Sequence, residues 1–188
     1  MRRVELADIE GVVFCPTETS ADLRGTFTKY FDRGTTKISG FDPQINSLSV
    51  ATNINAGTIR GLHFQIPPLG EEKIVACLQG RIFDVIVDLR KDSPTLGKWA
   101  GIELDGEIPT SLCLPKGIAH VYQTLTPNAN VFYALGAKFS EGHAHSLNYL
   151  DAELKIQWPV TVTQISVKDA SGISLHDAMA LAEEKPLK

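Results

Sequence analysis

The sequence lacks the features that mark membrane, secreted and nucleic-acid-binding proteins. Its longest apolar runs, such as Val85–Val87, are only a few residues long and cannot span a membrane. Lys and Arg total 18 against 22 Asp and Glu, a net charge of −4, which excludes a strongly basic nucleic-acid-binding protein. Glu5, Asp8 and Glu10 lie where a signal peptide needs an apolar core. We therefore expect a cytoplasmic protein that binds neither membranes nor nucleic acid.

Cysteine is scarce as well, with three in 188 residues. Cys15, Cys77 and Cys113 are odd in number, far apart and without a CxxC pair, which predicts buried free thiols. No repeat, low-complexity tract or linker divides the chain, so its length predicts one domain, 1–188. A hydrophobic fraction of 43% and a charged fraction of 21% are typical of a globular protein.

The apolar residues recur mostly with a period of two, which is typical of β-strands. The segments rich in apolar and β-branched residues are 73–78, 81–89, 111–114, 120–125 and 130–135. Gln79–Gly80 lies between the first two segments and predicts a tight hairpin turn. One helix is predicted over 174–184, with Ser174 as a candidate N-cap. Many short strands and little helix predict an all-β sandwich or barrel.

Two segments, Thr58–Gln65 and Leu114–His120, hold most of the candidate polar chemistry. Each places a histidine and a basic residue in β-rich sequence, which indicates polar groups that face the inside of a barrel. Arg60 is an odd number of residues from His63, so strand alternation points their side chains to opposite faces. Both can line one pocket only if Gly61 bends the strand.

These segments resemble the two motifs of the cupin superfamily. Metal-binding cupins supply His-x-His and then Glu from the first motif. This chain has His63, but Gln65 replaces the second histidine and Lys73 replaces the glutamate. Glu71 and Glu72 lie next to that lysine on a different register. Because a metal needs deprotonated donors, we predict that the metal site is absent.

A longer resemblance, from about residue 22 to about residue 175, identifies the chain as similar to the dTDP-4-dehydrorhamnose 3,5-epimerase family. The matching segments are RGLHFQ, EEKIVACLQGRIFDVIVDLRKDSPTLGKW, LPKGIAHVYQTL and DAELKIQWP. The resemblance implies an all-β cupin jelly-roll barrel with a few short helices, mainly C-terminal. It also implies a nucleotide-sugar substrate, no cofactor, and a homodimer in which strands are exchanged between protomers.

The same resemblance assigns four catalytic roles. His63 is the base that removes a proton beside the 4-keto group, and Asp169 orients it. Lys73 stabilises the enolate, and Tyr133, seventy residues after the base, is the acid. Each residue alone is more often structural, but all four occur together and in order. The residues implied in substrate binding are Arg24, Phe27, Arg60, His120, Phe139 and Lys168.

Several positions depart from the family pattern. Lys29 stands where the family has a glutamate, and Phe139 where it usually has a tyrosine. Counting back from the RGLH arginine, the place of the family's Gln-x-Asn holds Leu48–Val50. A Gln44-x-Asn46 lies upstream and would match only in a shifted alignment. Because the catalytic positions are kept, this pattern favours the same proton chemistry on a sugar with a different nucleotide or substituent.

Three other functions compete with an epimerase. A 3,4-ketoisomerase acts on the same type of substrate, and a non-catalytic cupin would bind the nucleotide sugar without exchanging its protons. A metal-dependent dioxygenase is disfavoured by Gln65 and Lys73. The remaining histidines, His143, His145 and His176, have no further ligand at a suitable spacing and are predicted to be surface residues.

Overall fold

The computed structural model describes residues 9–15, 17–34 and 42–183, and most of the regular secondary structure in them is β-strand. The strands are β1 (Val13–Cys15), β2 (Glu18–Asp22), β3 (Gly25–Lys29), β4 (Ser47–Asn53), β5 (Ile59–Gln65), β6 (Lys73–Gln79), β7 (Arg81–Asp88), β8 (Trp99–Asp105), β9 (Ser111–Leu114), β10 (Ile118–Thr124), β11 (Ala129–Leu135) and β12 (Ala144–Ser146). The C-terminal helices are α1 (Val167–Ala170) and α2 (Leu175–Glu183). Among these described residues, no helix is long and apolar enough to cross a membrane.

Ten of the strands form two antiparallel sheets that pack face to face. The first sheet has the order β1-β9-β6-β11-β4 and the second the order β12-β5-β10-β7-β8, while β2 and β3 form a separate hairpin. The predicted jelly-roll fold with short C-terminal helices is therefore confirmed. Ser174 Oγ accepts a hydrogen bond from the Asp177 N–H at 3.1 Å, so it is the N-cap of α2 as predicted.

The turn at Gln79–Gly80 is not the hairpin that the sequence predicted. β6 pairs with β9 and β11 in the first sheet, whereas β7 pairs with β8 and β10 in the second. Gly80 has a φ of +72°, and a Cβ at this position would overlap Thr126 Oγ1. The turn residue was correctly recognised, but the strands that it joins belong to opposite sheets.

The second sheet is buried on both faces. Ile82 and Ile86 of β7 lie in the core between the sheets. Val85 and Val87 face the other way, into a second core that 147–156 and α2 cover. This double burial explains the continuous apolar run in β7, which a half-exposed strand would not have. Burial on both faces also holds in place the strands whose side chains line the cavity described below.

Two of the three cysteines differ from the prediction of free thiols. Cys15 in β1 and Cys113 in β9 form a disulfide, with Cα atoms 5.9 Å apart. The antiparallel pairing of β1 with β9 brings them together, although 98 residues separate them in the chain. Cys77 is free and buried, as predicted.

Asp88 at the end of β7 has a buried carboxylate that binds the loop following this strand. It accepts hydrogen bonds from the Arg90 guanidinium and from the hydroxyls of Ser93 and Thr95. Burial opposes its charge, but these bonds outweigh burial and lower the pKa of Asp88 to about 2. Asp88→Asn should therefore reduce the free energy of unfolding at pH 7 by about 2 kcal/mol, measured by urea denaturation.

The pH dependence tests the same carboxylate. Because its folded-state pKa is depressed, its contribution is present above the unfolded pKa and is lost as the pH falls from about 4 towards 2. The Asn variant should lose stability less steeply over that range. Asp92→Asn, an exposed change in the same loop, is the control and should shift stability by less than about 0.5 kcal/mol. Equal effects of the two variants would refute the assignment.

Candidate active site

A cavity of about 1220 Å³ opens between the two sheets. β5 and β10 contribute to one wall, β4, β6 and β11 contribute to the facing wall, and the segment 163–169 borders it. The predicted site residues that line it are His63, Lys73, Tyr133, Asp169, Arg60, His120, Phe139 and Lys168. The cavity is larger than a typical site for one small molecule, and its polar groups converge from both sheets.

His63 extends from β5 into the cavity, with 47% of its side chain exposed. Its Nε2 lies 2.7 Å from Asp169 Oδ1. Since an ionised carboxylate only accepts hydrogen bonds, the neutral imidazole carries its proton on Nε2. Nδ1 then keeps its lone pair and is the ring nitrogen that can accept a proton.

Asp169 is held in place by more than the histidine. Its carboxylate accepts from Ser146 Oγ and from the Gly61 N–H, both at 3.4 Å, and its own N–H donates to Ser166 Oγ, the N-cap of α1. Burial works against the charge, but the hydrogen bonds from His63 and Gly61 outweigh it and lower the pKa of Asp169. The carboxylate therefore stays ionised beside the imidazole.

A bulge in β5 brings Arg60 and His63 into one cavity. His63 pairs with His120 on β10, whereas Arg60 pairs with Tyr122, so the two residues between them on β5 oppose a single residue of β10. Gly61 at the bulge has a φ of +122°, and a Cβ there would overlap the His120 carbonyl oxygen. The bend that the sequence required at this glycine is present.

Lys73 begins β6 and is almost fully buried. Its Nζ lies 3.2 Å from Glu71 Oε2 and 3.3 Å from the His63 carbonyl oxygen. Burial lowers the pKa of Lys73, and the charges of Glu71 and Asp84 only partly oppose this. Glu71, which the sequence placed on a different register, in fact lines the cavity as the partner of this lysine.

Tyr133 lies on β11, in the sheet that faces His63. Its ring is 6.0 Å from the ring of His120, edge to face, and 6.5 Å from that of Tyr122. Burial raises the pKa of Tyr133 well above its ordinary value, with Tyr122 and Asp84 adding to the effect and Arg60 opposing it. The phenol is therefore fully protonated at neutral pH.

His120 is fixed by a carboxylate that the sequence analysis missed. Its Nε2 lies 2.7 Å from Asp84 Oδ2, and both residues are buried. Burial raises the pKa of Asp84, although His120 and Lys73 oppose the shift. An aspartate among the apolar residues of β7 was the available sign of this role, because buried carboxylates are rarely without a partner.

Three of the predicted binding residues line the outer part of the cavity. Arg60 Nε donates to Asn53 Oδ1 at 2.8 Å, which fixes the guanidinium at the cavity wall. Phe139 is 65% exposed, and Lys168 Nζ lies 5.5 Å from the centre of its ring. These side chains offer an aromatic face and positive charge to a ligand.

The other two predicted binding residues lie outside this cavity. Arg24 and Phe27 belong to the β2–β3 hairpin, where Arg24 is paired with Asp22 at 2.6 Å and Phe27 is 73% exposed. Lys29 of the same hairpin forms an ion pair with Glu18 at 3.1 Å. The described part of a single chain therefore does not bring this hairpin to the catalytic groups.

The register of β4 decides which residues near Leu48–Val50 line the cavity. Leu48 and Val50 are 67% and 56% exposed and face outwards. Ser47 and Ser49 line the cavity instead, paired across β11 with Leu135 and Tyr133. Asn46, of the upstream Gln44-x-Asn46, lines the cavity beside these two serines.

The remaining histidines are not all surface residues. His176 is exposed, and His143 Nδ1 lies 3.0 Å from Ser140 Oγ in a loop. His145 is different, because it lies on β12, its ring is 5.7 Å from that of Phe64, and it lines the cavity. Its buried Nε2 has no hydrogen-bond partner among the described residues.

The positions that would ligate a metal in other cupins have other contacts here. Gln65 Oε1 accepts from the Ser140 N–H at 2.9 Å, and its Nε2 donates to Glu71 at 3.4 Å. Lys73 places an ammonium where a metal would need an anion. Over residues 9–15, 17–34 and 42–183, no group of three or more His, Cys, Asp or Glu could hold a metal ion.

Comparison with known proteins shows similarity over most of the chain. The family model described as dTDP-4-dehydrorhamnose 3,5-epimerase matches residues 6–177. A dTDP-4-dehydrorhamnose 3,5-epimerase of Sinorhizobium fredii is 37% identical over 155 residues, covering 82% of this chain and 80% of that protein. A dTDP-4-dehydrorhamnose 3-epimerase of Streptomyces niveus is 34% identical over 185 residues, covering 97% and 86%.

A solved structure with a bound sugar nucleotide is similar as well. The dTDP-6-deoxy-D-glucose-3,5-epimerase of Legionella pneumophila, in complex with dTDP-4-keto-L-rhamnose, matches with a TM-score of 0.84. The two sequences are 31% identical, and the match covers 93% of this chain and 94% of the other. The similarity therefore extends over both sheets and the C-terminal segment.

Proposed function

Because this chain belongs to the dTDP-4-dehydrorhamnose 3,5-epimerase family, we propose that it inverts C3 and C5 of a dTDP-linked 4-keto-6-deoxy sugar. The protein is an isomerase, and its substrate is a nucleotide sugar. The 4-keto group acidifies the protons on C3 and C5, so a base, a positive charge and an acid suffice without a cofactor. The proposal keeps the cytoplasmic location expected from the sequence.

His63 is the base in this mechanism. Asp169 accepts a hydrogen bond from the protonated Nε2, so the unprotonated Nδ1 takes the proton from C3 or C5. The imidazolium that forms is stabilised by the same carboxylate, whose lowered pKa keeps it ionised. The electron pair left on carbon moves onto the 4-keto oxygen as an enolate.

Lys73 stabilises that enolate. Its ammonium is buried beside the cavity and supplies positive charge where water cannot screen it. Without substrate, the Lys73 ammonium forms an ion pair with Glu71 Oε2 at 3.2 Å. The developing oxyanion competes with this carboxylate for the ammonium.

Tyr133 is the acid that completes the inversion. The observation that carries the proposal is that His63 and Tyr133 extend from facing sheets into one cavity. A sugar ring between them loses a proton to one wall and gains a proton from the other, which is the requirement for inversion. The collapsing enolate restores the 4-keto group as the new C–H bond forms.

Tyr133→Phe separates removal of the proton from inversion. Without the phenol the base still exchanges the substrate proton with solvent, so deuterium wash-in should continue. Inversion at the centre that needs the opposite-face proton should fall by roughly 10²-fold or more. Proton NMR in D₂O measures both rates in one sample, and equal loss of the two would refute the acid role.

The proposal is tested by wash-in on a panel of substrates. The protein is mixed in D₂O with dTDP-, CDP-, GDP- and UDP-linked 4-keto-6-deoxyglucose, and deuterium is followed at C3 and C5 by proton NMR. We expect labelling at both positions, with the dTDP sugar preferred. Preference for another nucleotide would support the interpretation of the departures at Phe139 and β4.

The competing functions predict other results in the same experiment. Labelling at C3 alone would identify a 3-epimerase. Conversion to a 3-keto sugar would identify a 3,4-ketoisomerase. Saturable binding without any wash-in would identify a non-catalytic cupin, and either of the last two outcomes would overturn the proposed reaction.

We also propose that the protein is a homodimer with an exchanged hairpin. Arg24 and Phe27 are exposed and lie outside the cavity of their own chain. β4 is an edge strand of the first sheet, and its outward residues Leu48 and Val50 are exposed and apolar. Addition of the partner's β2–β3 hairpin to this edge would bury the apolar side chains and bring an arginine to the cavity.

Mixing two inactive variants tests this exchange. Arg24→Ala and His63→Ala are unfolded together and refolded as a mixture, and epimerase activity is assayed. In a heterodimer one site receives both intact residues from different chains, so activity should recover to roughly a quarter of the wild type. Recovery no greater than the sum of the separately refolded variants would show that both residues act within one chain.

A further inference from the structure

Tyr122 connects the proposed acid with a polar network that the mechanism does not use. It lies on β10, its side chain is fully buried, and its hydroxyl lies 3.1 Å from Asn53 Oδ1. The same oxygen accepts from Arg60 Nε at 2.8 Å. The Tyr122 ring is 6.5 Å from that of Tyr133, with the planes at 40°. The network of hydrogen bonds therefore runs from the cavity-lining arginine to Tyr122, whose ring lies next to that of the acid.

The direction of these hydrogen bonds is determined by Asn53. Its Nδ2 donates to the backbone carbonyls of Ala129 at 3.0 Å and Ala51 at 3.3 Å, which fixes the orientation of the amide. Oδ1 is then an acceptor only, so Tyr122 must donate its single hydroxyl proton to it. The lone pairs of the Tyr122 oxygen remain available to accept from Tyr133.

We propose that Tyr122 is a positioning residue for Tyr133, holding its hydroxyl before the reaction and stabilising its phenolate afterwards. The inference rests on the proposed function, in which Tyr133 is the acid. When Tyr133 gives its proton to the substrate carbon, its O–H bond breaks, the C–H bond forms and a phenolate remains. The Tyr122 hydroxyl then turns from Asn53 and donates to that phenolate, while Arg60 continues to satisfy the asparagine oxygen. No proton leaves Tyr122.

The cost of the phenolate explains why this donor is needed. Burial raises the pKa of Tyr133 far above its ordinary value, so the anion is unfavourable in this part of the cavity. A hydrogen bond to a buried anion is stronger than one between neutral groups. Asn53 can release Tyr122 without being left unpaired, because the Arg60 bond remains.

Tyr122→Phe removes only this hydroxyl and tests the proposal. Inversion at the centre that depends on Tyr133 should slow by roughly 10- to 100-fold, while wash-in catalysed by His63 changes by less than about threefold. Tyr149→Phe is the matched control, since it removes the same atom from a tyrosine that packs on Trp158 outside the cavity. Thermal unfolding followed by circular dichroism shows whether each variant is folded.

The double variant separates positioning from a general structural effect. If Tyr122 acts only through Tyr133, Tyr122→Phe should cost little inversion when added to Tyr133→Phe. Losses that multiply, or equal loss of inversion and wash-in in Tyr122→Phe, would overturn the inference. If Tyr133→Phe itself does not separate inversion from wash-in, the acid assignment fails instead, so the two failures are distinguishable.

Discussion

Replacing His63 with alanine should reduce deuterium wash-in at both C3 and C5 by about 10²- to 10⁴-fold, the usual contribution of a general base. Its Nδ1 is the free nitrogen in the dyad with Asp169. Inversion should fall by the same factor, because no enolate forms without the base. Proton NMR in D₂O with the dTDP-linked sugar measures both rates.

His143→Ala is the control for this loss. That histidine lies in the loop before β12, bonded to Ser140, and does not line the cavity. It should leave wash-in and inversion unchanged. Wash-in that persists in the His63 variant would remove this residue from the mechanism.

Asp169→Asn examines the same dyad without removing the imidazole. The amide can donate to Nε2 and so favours the tautomer whose proton is on Nδ1, the nitrogen that must act as base. We expect wash-in to fall by about 10²-fold or more while substrate binding is retained. An unchanged rate would show that the carboxylate is not needed to orient the base.

Lys73→Met should cost about 10²- to 10³-fold in wash-in and in inversion alike, because the enolate precedes both. The lysine is buried and its ammonium lies 3.2 Å from Glu71 Oε2, so the variant leaves a carboxylate without its cation. Thermal unfolding must therefore accompany the assay. Retention of full activity in a folded Lys73→Met protein would refute the oxyanion role.

The pH dependence gives an independent check on this lysine. Burial lowers the pKa of Lys73, so its charge is lost as the pH rises through a value below the ordinary 10.5. Wild-type activity should fall on the alkaline side accordingly. Lys73→Arg keeps its charge at higher pH, and its alkaline limit should move upwards even if its rate is lower. An unmoved limit would assign the titration to another group.

Sequence reasoning succeeded for features that depend on residues close together in the chain. The strands over 73–78 and 81–89, the cap at Ser174 and the bend at Gly61 are all present in the structure. It failed where the structure depends on pairing between strands that are far apart in the sequence. The turn at Gly80 joins different sheets, and the register of β4 against β11 turns Leu48 outwards.

The β-rich fold class, the family and the set of polar residues available for chemistry can be derived from the amino-acid sequence, because periodicity and local motifs are properties of the chain. Which of these polar residues contact one another depends on the fold. It paired His120 with Asp84 and Lys73 with Glu71, and it left the β2–β3 hairpin outside the cavity. The physical reason is that strand register and burial depend on all the partners of a strand, and those partners lie far away in the sequence.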